Sequence, residues 1–255
     1  MSAGVDLAPI AFATGAGFVG GAMNALAGGG TFATLPALLA LGLPANIANA
    51  TSNVALMPGA ATSAWAMRDE LRPLGDVSIR TLAAIMAVAG FAGSVLLVLT
   101  PSRAFDLIIP WLLLYAFAVL AWGGNAAAWL HARASIGPRT LMAVQALLGI
   151  YGGYFGGGVG LMMMATYGLL AGHSPREMFA PRTLMLATAN AAAAIVFIGT
   201  GMVAWAACVP MLAGSIIGGW IGAHVGRRLP HGAIRAWTLL VTGATTIVFF
   251  WRAYH

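Results

Sequence analysis

The sequence predicts an all-α, polytopic integral membrane protein built from two inverted repeats, each a glycine-tipped helical hairpin followed by three transmembrane helices. Three observations carry this expectation. Of 255 residues, 60% are hydrophobic and only 7% charged, against about a quarter charged in an ordinary soluble domain. A glycine triplet followed by an apolar run occurs twice, in GGAMNALAGGGTFATLPALL (20–39) and in GIYGGYFGGGVGLMMMATYGLL (149–170). All twelve basic residues are arginines, scattered at the ends of apolar runs rather than clustered on one segment, which is the pattern of membrane topology and not of a nucleic-acid face.

Hydropathy orders the segments. Residues 7–27 lead into Gly28, Gly29 and Gly30, and a run at 32–43 ends at Pro44. Spans follow at 47–67, 79–100 and 105–122, and then a more polar stretch, 123–138. The pattern begins again with 141–155, the triplet Gly156, Gly157 and Gly158, a short run at 161–171, and spans at 183–199, 203–225 and 233–250. One transmembrane domain, 1–255, is therefore divided into a first repeat, 1–125, a linker, 126–138, and a second repeat, 139–255. The first apolar run has no Lys or Arg before it, which argues against a cleaved signal peptide. Cys208 is the only cysteine, so no intrachain disulfide forms.

The run at 32–43 is twelve residues, about 18 Å as helix, against a hydrocarbon core of about 30 Å. Each repeat is thus expected to open with a hairpin that enters the membrane, turns at the triplet and returns to the same side. Full crossings by both arms would leave the parity unchanged. With Arg68, Arg72 and Arg80 on the cytoplasmic side, alternation puts ten of the twelve arginines there and leaves Arg103 and Arg252 opposite. A hairpin plus three crossings is odd, so the two repeats enter from opposite sides. Inverted repeats that meet through broken helices are a design of secondary transporters.

The helix that restarts after each triplet carries free N–H groups and the positive end of its dipole, and glycines leave that backbone open to a ligand. Such a place favours an anion. The expected pocket is lined by Asn24, Gly28, Gly29, Gly30, Thr31, Gly156, Gly157 and Gly158. Polar residues after each short run, Thr51, Ser52 and Asn53 in the first half and Arg182 and Thr183 in the second, are further candidates for substrate contact or for hydrogen bonds between helices. Gly149 and Gly153, and the series Gly214, Gly218, Gly222 and Gly226, have the spacing of close helix contacts.

Enzyme chemistry finds little support. Asp106 is the carboxylate nearest a span interior, with Arg103 as a plausible partner, and no HExxH or Cys/His pair suggests a metal. The match Gly15-Ala-Gly17-Phe-Val-Gly20 to a dinucleotide fingerprint lacks a preceding strand and an acidic residue at the right distance. Neither triplet runs into Gly-Lys-Ser/Thr, so no P-loop is expected. The sequence thus predicts no enzyme, no metal and no cofactor.

The segment AGFVGGAMNALAGGGTFATLPALLALGLPANIANATSNVALMPG, repeated more loosely as GIYGGYFGGGVGLMMMATYGLLAGHSPREMFAPRTLM, resembles the TauE/SafE family of membrane anion permeases, over nearly the whole chain. The resemblance implies a multi-pass transporter of the bacterial inner membrane for a small sulfur-containing anion such as sulfite, thiosulfate or a short organosulfonate. It implies alternating access, coupled to protons or to the anion gradient, with the bilayer and a small anion as partners, no nucleic acid and a possible homodimer. An anion channel and a non-transporting membrane subunit are the competing expectations. Many members place a lysine in the segment that falls here on Asn49 to Asn53; this chain is neutral there and has its basic residue in the second half, at Arg182.

Overall fold

The structure is a computed structural model that describes residues 7–131, 137–171, 177–226, 228–229 and 231–254. Ten α-helices follow one another among them: α1 (Leu7–Ala27), α2 (Thr31–Ala40), α3 (Ala45–Ala66), α4 (Ile79–Leu99), α5 (Ser102–His131), α6 (Pro138–Tyr154), α7 (Val159–Ala171), α8 (Phe179–Gly199), α9 (Trp205–Gly226) and α10 (His231–Tyr254). A 3-10 turn, Arg68–Glu70, follows α3, and the described residues contain no strand beyond one isolated bridge, Leu74 to Val77. Six helices, α1, α4, α5, α8, α9 and α10, are long and apolar enough to cross a membrane. The chain is a multi-pass α-helical membrane protein.

The seventh long helix, α3, explains why the rest can be so apolar. Its 22 residues reach about 33 Å, but Asn49, Thr51, Ser52 and Asn53 make one stretch too polar to face lipid. All four are buried, and α3 packs against α1, α2, α8 and α9. The polar helix lies inside, and the apolar helices turn Trp111, Ile195, Leu240 and Ile247 outward, the inverse of a soluble protein and the arrangement lipid requires.

Close backbone approach sets the pairing. A Cβ at Gly17 would lie 2.0 Å from the Met211 carbonyl oxygen, one at Gly214 2.0 Å from that of Thr14, and one at Gly218 2.0 Å from that of Phe18. Helices α1 and α9 therefore run parallel and in backbone contact, as the spacing of the Gly214 series predicts. Helices α6 and α4 do the same through Gly153, whose Cβ would lie 1.9 Å from the Gly90 oxygen, and Gly93, whose Cβ would lie 2.0 Å from the Ile150 oxygen. The first helix of each half thus packs along the fourth helix of the other. Helix α3 also runs parallel to α9: the Thr51 hydroxyl accepts from the Ala204 N–H, and twelve residues on Ser63 donates to the Gly219 carbonyl.

The arms of the first hairpin have the unequal lengths that the sequence predicts: α1 has 21 residues and its end lies beside the end of α9, with Leu26 against Gly226, whereas α2, ten residues and about 15 Å long, stops short. One expectation is corrected: helix runs on into the expected linker, since α5 continues to His131. Ala126, Ala127, Ala128 and Leu130 are strong helix formers, and they carry the helix past Gly123 and Gly124. Residues 132–136 lie outside the described residues.

Replacing Gly218 by Ala is expected to push α1 and α9 apart and to cost about 1–3 kcal/mol, read as a lower melting temperature in detergent. Gly232→Ala, whose new Cβ would meet nothing within 4 Å, is the control and is expected to leave it unchanged or slightly raised.

Candidate functional site

Both breaks are built by glycine backbone. Helix α1 ends when the Gly28 N–H turns back to the carbonyls of Asn24 (2.8 Å) and Met23 (3.1 Å), with Gly28 at φ +74°, a conformation that a side chain would strain. Helix α6 ends the same way: the Phe155 and Gly156 amides both bond the Tyr151 carbonyl, and Gly156 and Gly158 take φ +77° and +78°. The two tips meet. A Cβ on Gly28 would lie 2.3 Å from the Gly160 Cα, and the Gly160 N–H points to the Gly28 carbonyl at 3.4 Å. On the other flank of the junction, a Cβ on Gly156 would lie 3.5 Å from Asn53 Nδ2 and 3.6 Å from Thr31 Oγ1.

Backbone hydrogen bonding at this junction is incomplete on both sides among the described residues. In the first tip the carbonyls of Met23, Asn24, Ala25, Leu26, Gly28, Gly29 and Gly30 each accept a bond, and that of Ala27 does not. In the second, those of Tyr151, Tyr154, Gly157 and Gly158 do so, and those of Gly152, Gly153, Phe155 and Gly156 do not. The amides of Gly29, Gly30 and Thr31 and of Gly157, Gly158 and Val159 make no bond to the protein among the described residues. These six donors form two runs of three consecutive amides, at the positive ends of α2 and α7. Asn24, Thr31 and Asn53 add side chains that are almost wholly buried and make no hydrogen bond among the described residues, and Asn53 Oδ1 is without a partner. None of the six acidic residues of the chain falls in either hairpin or in α3.

Two side chains close carbonyls at the ends of α1 and α6, and each reaches across from the other half. Arg182, in the first turn of α8, is fully buried and donates from its two terminal nitrogens to the carbonyls of Leu26 (3.2 Å) and Ala25 at the end of α1. Its guanidinium also lies 3.0 Å from Met164 Sδ and 4.4 Å from the centre of the Phe179 ring. Asn49, in the second turn of α3, donates to the Tyr154 carbonyl at the end of α6, at 3.0 Å. A cation at the C-terminus of a helix offsets its negative end. Arg182 therefore cancels the part of the first tip that would repel an anion and leaves the positive end of α2 uncovered.

Of the residues expected from the sequence, Asn24, Gly28, Thr31, Asn53 and Gly156 converge at the junction, and the backbone of Gly29, Gly30, Gly157 and Gly158 forms its two loops. Ser52 pairs with the Thr34 hydroxyl and ties α3 to α2. Thr51 faces the start of α9, accepting from the Ala204 N–H at 3.0 Å, and Thr183 bonds back to the Phe179 carbonyl on its own helix at 2.8 Å. Counted from the helix starts, Arg182 is fourth in α8 and Asn49 fifth in α3, so the counterpart of Arg182 is Asn49 and not the Thr51 to Asn53 stretch. Residues absent from the expectation are Asn49 as a clasp, Gly160, and Tyr151, whose hydroxyl donates to the Gly157 carbonyl at 2.8 Å. Asn49 lies one turn before Asn53 on the same face of α3, and that spacing was the available signal.

A family model described as "Sulfite exporter TauE/SafE" matches residues 13–249. Among relatives, a "Probable membrane transporter protein" of Haemophilus influenzae is 30% identical over 230 residues, covering 88% of this chain and 87% of the relative. "Probable membrane transporter protein ORF9" of a Sinorhizobium species is 30% identical over 225 residues, 86% and 82% of the two chains. "Probable membrane transporter protein YfcA" of Escherichia coli K12 is 28% identical over 215 residues, 82% and 76%.

Removing the Arg182 clasp leaves buried carbonyls unpaired, so Arg182→Met is expected to lower stability by about 2–4 kcal/mol, and Asn49→Ala by about 1 kcal/mol. Thermal unfolding in detergent reads both, and the order of the two losses is the test: an Arg182→Met protein as stable as the parent would contradict the clasp.

Proposed function

The chain belongs to the sulfite exporter TauE/SafE family of membrane transporters, and from that premise we propose that it carries a small sulfur-containing anion, bound where the two glycine tips meet. The observation that carries this is the pair of three-amide runs, Gly29 to Thr31 and Gly157 to Val159, that make no bond to the protein among the described residues and lie at the positive ends of α2 and α7. Backbone donors inside a membrane protein must be bonded within it or line a wet cavity, and unpaired donors at a helix N-terminus suit an anion. A sulfite, thiosulfate or sulfonate group offers several oxygens to such a cradle, and Asn53 and Thr31 are placed to bond them from the side.

Binding here relies on backbone dipoles and neutral side chains. Arg182 acts at one remove: its terminal nitrogens are spent on the end of α1, and its charge raises the potential at the tip without a contact to the ligand. Movement is read as alternating access of one half against the other. Two facts support inverted repeats. Helix α1 runs along α9 and α3, whereas α6 runs along α4, which follows α3 after residues 67–78. With α4 read as the return crossing after α3, the two hairpins enter from opposite ends of the bundle. The protein is read as a carrier and not an enzyme, residing in a bacterial inner membrane.

The test is a melting-temperature screen of the purified protein against sulfite, thiosulfate, sulfoacetate, sulfate and small carboxylates, since a ligand selective for the folded state raises the midpoint. At least one sulfur oxyanion is expected to stabilise the protein. Asn53→Ala and Thr31→Val are expected to weaken it about tenfold each, the equivalent of about 1.4 kcal/mol, without changing the fold. A protein that no anion stabilises, or an Asn53→Ala variant with unchanged affinity, would refute the site.

A further inference from the structure

At the end of the bundle that holds the start of α5 and the end of α10, a pocket of about 290 Å³ is lined by Arg103, Asp106, Leu107, Phe249, Arg252 and Ala253. Two arginines open onto one small space, and neither they nor Asp106 make a hydrogen bond or an ion pair among the described residues. The other end of the same helix pair provides a comparison. There Arg235 donates to the Ala121 carbonyl at 2.8 Å and staples α10 to α5. The arginine at that end is spent on the protein, whereas the two at this end are left over.

We propose that this pocket binds a tetrahedral oxyanion through the guanidinium groups of Arg103 and Arg252. Both arginines are exposed at the mouth of the pocket, and two guanidinium groups lining one space favour a negative partner between them. Asp106 supplies one negative charge, which leaves a net positive pocket. Guanidinium groups match phosphate and sulfonate oxygens in pairs. The surroundings are those of a membrane–water interface: Trp111 donates from its ring nitrogen to the Tyr254 hydroxyl at 2.9 Å and packs edge-on to Phe250 at 5.3 Å, and Trp111, Trp251 and Tyr254 are exposed. Aromatic residues in such belts hold the level of lipid headgroups. The oxyanion is therefore either the phosphodiester of an anionic lipid or a free anion arriving from water, and the same two arginines would hold either. The site is separate from the glycine junction and does not depend on it.

The experiment uses the full chain, purified and delipidated, with two probes: inorganic sulfate, followed by titration calorimetry, and phosphatidylglycerol, followed by retention in native mass spectrometry. The parent is expected to bind at least one of them, and Arg103→Gln with Arg252→Gln to bind it about tenfold more weakly for each arginine replaced. Asp106→Asn is expected to tighten binding, because it removes a repelling charge. Sulfate binding that the double variant loses identifies a free anion as the ligand of this pocket, sulfate binding that it keeps belongs to the junction, and lipid retention alone identifies a headgroup. Equal binding of both probes by the parent and the double variant, or weaker binding by Asp106→Asn, would overturn the proposal. Melting temperatures of all variants, measured without probe, show that each is folded, and anion binding at the junction is expected to survive in the double variant.

Discussion

A helix that stops inside a membrane leaves amides and carbonyls that lipid cannot satisfy, at a cost of several kcal/mol for each group. This chain stops helices twice, after Ala27 and after Tyr154, and much of the interior answers to that. Part of the carbonyl side of each break is closed by protein: Gly28 and Gly156 turn back on their own helices, Arg182 takes the end of α1, and Asn49 takes the end of α6. The amides of Gly29 to Thr31 and Gly157 to Val159 are left open. The proposed anion site rests on these amides and not on a cationic side chain directed at the ligand.

The clasps also connect the two halves. Arg182 belongs to α8 but holds α1, and Asn49 belongs to α3 but holds α6. The same crossing appears at the level of whole helices, where α1 lies along α9 and α6 along α4 with backbones in contact at glycines. Each hairpin is thus carried mainly by helices of the opposite half, and the tips touch through Gly28 and Gly160, through Phe32 and Gly158, and around Gly156. Glycines permit close backbone approach both along the helix pairs and where the tips meet. The arginine is the stronger clasp, so the two hairpins are held with unequal strength even though their backbones follow the same plan.

Much of this was legible in the chain. Five of the six expected spans coincide with apolar helices and the sixth such helix is the hairpin arm α1, whereas the span expected at 47–67 is the buried polar helix α3; the paired triplets mark the breaks because three consecutive glycines exceed what close packing needs. The Gly214 series has the spacing of a close helix contact, and the structure supplies its partner, α1. Other features were hidden for physical reasons. A buried arginine at a helix start looks alike in sequence whether it caps a neighbouring helix or faces a ligand, and only the carbonyls of Ala25 and Leu26 distinguish the two. Thr51 and Thr183 looked like site residues because hydroxyls in an apolar run have few uses, and the structure spends one on α9 and one on its own helix. The extent of α5 was obscured by Gly123 and Gly124, whose local cost is outweighed by the alanines after them.

The most direct measurement is an experimental structure of the protein with selenite or selenate, located by the anomalous signal of selenium. The account predicts a selenium peak at the junction, its oxygens within hydrogen-bonding distance of the amides of Gly29 to Thr31 and Gly157 to Val159, with Arg182 still bonded to the end of α1. A peak elsewhere in the bundle with these amides unoccupied, or an anion held directly by an Arg182 that has let go of Ala25 and Leu26, would contradict it.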